Sequence, residues 1–163
     1  MGFTDTADDL NRGTLSVLAA PRLTRVLEWY APGQQFLRFG PQDPVLPNQF
    51  YRLETGDGVW ILFDEGDDRT VLWEQPVIDE PRSVSLPAGF SIRTWTGPTT
   101  PVAAAAGELG SAFESLSVWD SDVFLSYTAG LPDFVNKLHE LHYGDAFWIR
   151  MSEAASWTQP APN

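Results

Sequence analysis

The chain has 163 residues, of which 10 are basic and 22 acidic. A net charge of −12 excludes nucleic acid and anionic membrane surfaces as partners, because no basic patch exists to displace counterions. With no cysteine it excludes thiol catalysis, disulfides and thiolate metal sites. Its 43% hydrophobic and 13% aromatic content suffices for one compact core, and no run approaches the roughly 20 apolar residues of a helical membrane span, so no membrane insertion is expected.

From the front, residues 1–12 read as an acidic arm or short cap, and Met1–Asp9 lacks the apolar run of a signal peptide. The punctuation that follows is that of a β protein, with apolar runs separated by Pro, Gly and Asp clusters. Strands are predicted near 14–20, 24–30, 35–39, 58–64, 70–75, 83–86, 90–96, 113–119, 123–127, 146–151 and 155–159. One helix is predicted near 101–109. Thr100 would cap it, Pro101 suits its first turn, and Val102, Ala105, Ala106 and Leu109 share a face before Gly110 stops it.

The chain says nearly the same thing twice. Asn48, Leu53, Gly56, Asp57, Trp60 and Ile61 return as Asn136, Leu141, Gly144, Asp145, Trp148 and Ile149, all at an offset of 88 (136 − 48). Upstream, Trp29 and Phe36 match Trp119 and Phe124, with a turn two residues shorter in the second copy. Downstream, Trp73-Glu-Gln-Pro76 matches Trp157-Thr-Gln-Pro160. The expected organisation is an arm over 1–12, a first unit over 13–76, a connector over 77–88 and a second unit over 89–160. Units this short bury little core alone, so the two should form one mainly antiparallel β domain. A pseudo-two-fold sandwich or partly closed barrel is the expected architecture.

The second unit combines a Gly89-Phe90 strand ending in Trp95-Thr-Gly97, a small helix, a Val118-Trp-Asp120 hairpin and the block from Asn136 to Ile149. This pattern resembles an aromatic-rich tandem repeat of exported and surface-associated bacterial proteins. It departs in having Phe90-Ser91 where Trp-Asn is usual. The resemblance implies a β-rich exported module and supplies no catalytic residues.

Candidate chemistry is sparse. His139 and His142 are three residues apart, one short of the zinc-protease spacing, and the chain has no third histidine or cysteine to complete a site. The acidic turn Asp64-Glu-Gly-Asp-Asp68 lacks the ordered ligand spacing of a calcium loop. Asp57 and Asp145 invite an acid–base pair across the pseudo-dyad, but duplication equalises environments that catalysis must keep different. Gly56-Asp57 and Gly144-Asp145 read more simply as turns entering the strands of Trp60 and Trp148, and Asn48 and Asn136 as loop organisers. No cofactor or metal is implied.

The expected function is a non-catalytic extracellular or cell-surface interaction or assembly module that binds a protein partner or itself. The alternative is a carbohydrate-binding module presenting Trp73, Trp95 and Trp157. A hydrolase at the pseudo-dyad comes third. The helix has no counterpart in the first unit under this alignment, since Pro21 to Trp29 spans 8 residues and Pro98 to Trp119 spans 21. Leu15, Val17, Leu23 and Val26 are therefore expected to form an uncovered strip for a partner.

Overall fold

The computed structural model describes residues 7–9, 23–41, 46–64 and 78–162. The chain is mainly β, and every pairing among the described residues is antiparallel. Strands β2 (Leu23–Tyr30), β3 (Gln35–Phe39) and β5 (Val59–Phe63) form a three-stranded sheet in the order β3-β2-β5. Strands β7 (Gly89–Thr94), β9 (Phe113–Asp120), β10 (Val123–Thr128) and β12 (Ala146–Met151) form a second, ordered β10-β9-β12-β7.

Three two-stranded ladders complete the set. They join β1 (Ala7–Asp9) to β4 (Arg52–Glu54), β6 (Arg82–Leu86) to β13 (Ala155–Gln159), and β8 (Thr100–Pro101) to β11 (Glu140–Leu141). No closed barrel forms among the described residues. The β1–β4 and β8–β11 ladders stop after three and two pairs, next to Pro and Gly residues that do not extend a ladder, whereas β6–β13 runs for five. Ala7–Asp9, inside the stretch read as an acidic arm, is a strand. The strands expected near 14–20 and 70–75 lie outside the described residues.

The single described α-helix, α1, runs Val102–Gly107, followed by a 3-10 turn at Gly110–Ala112. Its N-cap is Pro101, which makes no side-chain cap bond; the Thr100 hydroxyl donates instead to the carbonyl of Pro98 at 2.8 Å. Val102, Ala105, Ala106 and Leu109 are all buried, so helical spacing delivers one face to the core.

That core corrects the carbohydrate candidates. Trp95 and Trp157 are each 1% exposed, their ring centroids 5.3 Å apart, inside a cluster with Val84, Leu116, Leu141, Phe147 and Ile149. Each indole N–H is satisfied internally, Trp95 donating to the carbonyl of Pro98 and Trp157 to that of Ala105. Burying a large ring with its one polar atom paired is favourable, and it leaves no face for a sugar. Trp73 lies outside the described residues. The partner-strip candidates are corrected in the same way. Leu23 and Val26, 2% and 0% exposed, pack with Phe39, Leu53 and Val59 in a second, smaller cluster. Leu15 and Val17 lie outside the described residues.

Candidate functional site

Alternation along β2 sends Val26 inward and Leu27 and Trp29 to the opposite face. Trp29 stands across from Phe36 in the β2–β3 hairpin, and Trp119 across from Phe124 in the β9–β10 hairpin. Both pairs meet edge to face, at 5.0 and 4.8 Å. Trp148 of the four-stranded sheet packs on Trp29 at 5.0 Å and Phe36 at 5.9 Å. Trp60 of the three-stranded sheet packs on Trp119 at 5.8 Å. Each sheet thus presents a tryptophan to the other sheet's hairpin, Trp148 to both rings of its pair and Trp60 to Trp119.

Two polar seams join the sheets beside these rings. At the first, the Trp29 indole N–H donates to the carbonyl of Phe90 at 2.8 Å. The Gln34 amide donates to the same carbonyl and accepts from the Phe90 N–H, imitating a strand neighbour. Gln34 has φ +46°, a left-handed turn that aims its side chain at Gly89-Phe90. At the second, Asp57 forms an isolated bridge with Arg93, while Thr94 donates its N–H to Gly56 and its hydroxyl to the Asp57 carbonyl.

Leu27, Phe36 and Trp60 from one sheet and Phe90, Ser117, Phe124 and Trp148 from the other line an apolar cleft of about 670 Å3. Phe36, Phe90 and Phe124 are 40%, 40% and 49% exposed around it. Its one polar side chain, Ser117, shares a hydrogen bond with Ser126 at 2.7 Å.

The second seam is charged. Burial, reinforced by Asp57, pushes the Glu28 carboxyl up to about 7. Burial also raises Asp57, against the pull of its bond from the Glu54 N–H and of Arg93, whose guanidinium lies 4.0 Å away. Arg82 is lowered by desolvation. A second, mixed cleft of about 660 Å3 lies beyond Trp119, between the end of β9 and residues 137–142.

The repeated residues occupy turns. Asn48 Oδ1 accepts from the Gly40 N–H and Asn136 Oδ1 from the Thr128 N–H, both at 2.8 Å. Asp57 accepts from the Glu54 N–H and Asp145 from the His142 N–H, at 2.8 and 2.7 Å, after Gly56 and Gly144 at φ +89° and +87°. His142 Nδ1 lies 3.5 Å from Asp145, and no metal-binding group of three occurs among the described residues. Of the acidic turn, only Asp64 is described.

Sequence reasoning singled out Trp60 and Trp148 but passed over Phe36, Phe90, Trp119 and Phe124 as a surface. The available signal was the Trp–Phe pair repeated at both hairpins. No family model, curated protein or solved structure matches the chain.

Proposed function

We infer that the chain is a non-catalytic interaction module, used outside the cell or at its surface, built from two copies of one unit about a pseudo-two-fold axis. Reciprocal contacts support the axis. Trp29 and Trp119 are counterparts at an offset of 90, and Trp60 and Trp148 at 88; Trp29 meets Trp148 as Trp119 meets Trp60. Both long strands also carry a bulge at matching places. Thr24 is skipped between Leu23 and Arg25, and Glu114 between Phe113 and Ser115.

The pairing of β1 with β4 parallels that of β8 with β11, setting Asp9 against Pro101. The first unit then begins at β1. Its residues 10–22 (13 in number) occupy the chain position of residues 102–112 (11 in number), so the helix segment is no insertion.

The cleft at the junction carries the reading. Six of its seven lining side chains are apolar, and three phenylalanine rings remain two-fifths or more exposed. Ser117 is already bonded, and the carboxylates of Asp57 and Asp145 are engaged by their own turns, an arrangement suited to binding over acid–base work. A net charge of −12 makes a second copy a poor occupant at low salt, so the surface suits apolar side chains of a different protein.

The dye bis-ANS, which reports apolar surface, tests this. The protein should bind it, and the double variant Phe90→Ser, Phe124→Ser should bind about tenfold more weakly while far-ultraviolet circular dichroism shows the same β content. Equal binding by the variant would remove the cleft from consideration.

A further inference from the structure

We propose that the cleft beyond Trp119 is a binding site for a neutral oligosaccharide, separate from the apolar cleft. It is about 660 Å3, within the range of small-molecule sites. Its floor is apolar, with Leu125 half-buried and Leu138 5% exposed. One wall is Trp119, 44% exposed, whose ring is braced edge-on by Trp60 at 5.8 Å and Phe124 at 4.8 Å. A ring held in place before a ligand arrives loses little entropy on binding.

The rim carries both acceptors and donors. Asp120 and Glu140 offer carboxylate oxygens, and Lys137 and His139 offer N–H groups. His142 lies 3.5 Å from Asp145 and 3.9 Å from Glu140, which orients it at the same rim. Aromatic wall and mixed rim together match a pyranose, whose C–H face is apolar while each hydroxyl both donates and accepts. A purely apolar ligand would strand these polar groups. An anionic one would meet three carboxylates, of Asp120, Glu140 and Asp145, against one lysine, on a chain of net charge −12. The apolar side chains of a protein partner find their match in the other cleft, where Ser117 is the one polar lining residue.

Calorimetric titration with cellotriose, xylotriose, mannotriose, maltotriose and chitotriose tests the proposal. At least one should bind with a Kd of about 0.1–1 mM. Trp119→Ala should weaken binding about thirtyfold, and Glu140→Gln, an exposed position that leaves the core untouched, about fivefold. Phe90→Ser, in the apolar cleft, should leave the affinity unchanged. Silence toward all five sugars, or affinity indifferent to both Trp119→Ala and Glu140→Gln, overturns the proposal. A heat lost with Phe90→Ser instead overturns it too, by assigning the sugar to the apolar cleft. Silence toward the sugars, or indifference to the two variants, leaves bis-ANS binding by the apolar cleft as it was, so the two sites fail independently.

Discussion

Glu28 carries a carboxyl that burial holds far from its usual titration range. It lies on β2 between its cross-strand partners Leu37 and Val59, where the matching position of β9 holds Val118. Burial first, then Asp57, raises its carboxyl from 4.5 to about 7, and Arg93 only partly offsets this. The folded state therefore holds a proton that the unfolded chain has released between these values. Stability is greatest below 4.5 and falls as pH rises through about 7. Glu28→Gln, which keeps the neutral shape, should match the wild type near pH 4.5. At pH 8 it should be more stable by about 1–2 kcal/mol, a figure already reduced for solvent screening at a partly exposed site. Urea denaturation of both proteins at the two pH values measures the difference. A gap that is the same at both would show that ionisation of Glu28 is not its source.

Among elements, the turn that leads into β5 closely approaches β7. A Cβ built on Gly58 would stand 2.1 Å from the Ile92 Cγ2 and 3.2 Å from the backbone of Arg93. The second unit carries Ala146 at the corresponding place, 88 residues on, partly buried beside Thr94 across the β12–β7 ladder. Gly58→Ala should therefore cost about 2–3 kcal/mol by forcing the turn at Gly56-Asp57 away from β7. Hydrogen exchange at the Thr94 amide, which donates to Gly56, should accelerate with it. A loss under about 0.5 kcal/mol would mean that β7 yields without strain.

Elements also differ in how legible they are. The strands at Val59 and Ala146 are readable as short continuous apolar runs, each opened by a Gly-Asp turn. α1 is readable because Val102, Ala105, Ala106 and Leu109 share a face. The strands β8 and β11, two residues each, carry no period at all; the pairing of Thr100 with Leu141 is visible only in three dimensions. The loop bonds of Asn48 and Asn136 are foreshadowed by repetition after a proline-rich stretch. The burial of Trp95 and Trp157 was not, because β13 joins β6, some 70 residues earlier, before the two indoles can meet. The cleft depends on Trp29 meeting Trp148 across two sheets, which no local pattern reports.

At the scale of the whole molecule, two hydrophobic clusters of unequal size share one aromatic junction. The smaller, with Leu23, Val26, Phe39, Leu53 and Val59 fully buried, is slight for independent folding. The larger contains α1 and both buried tryptophans. Their coupling should therefore depend on the junction, and its two halves are unequal. Trp148 meets three rings, those of Trp29, Phe36 and Phe90, at 5.0 to 6.0 Å. Trp60 meets one among the described residues, Trp119, at 5.8 Å. Trp148→Ala should cost about 3 kcal/mol and Trp60→Ala about half that, since lost ring contacts and the cavity left behind both scale with the number of partners. Differential scanning calorimetry should then show the Trp148→Ala transition split, the three-stranded sheet melting first, while the Trp60→Ala protein keeps one transition. Equal losses, or a single sharp transition in both variants, would place the coupling in the polar seams of Gln34 and Asp57, and Gln34→Ala would become the variant that splits it.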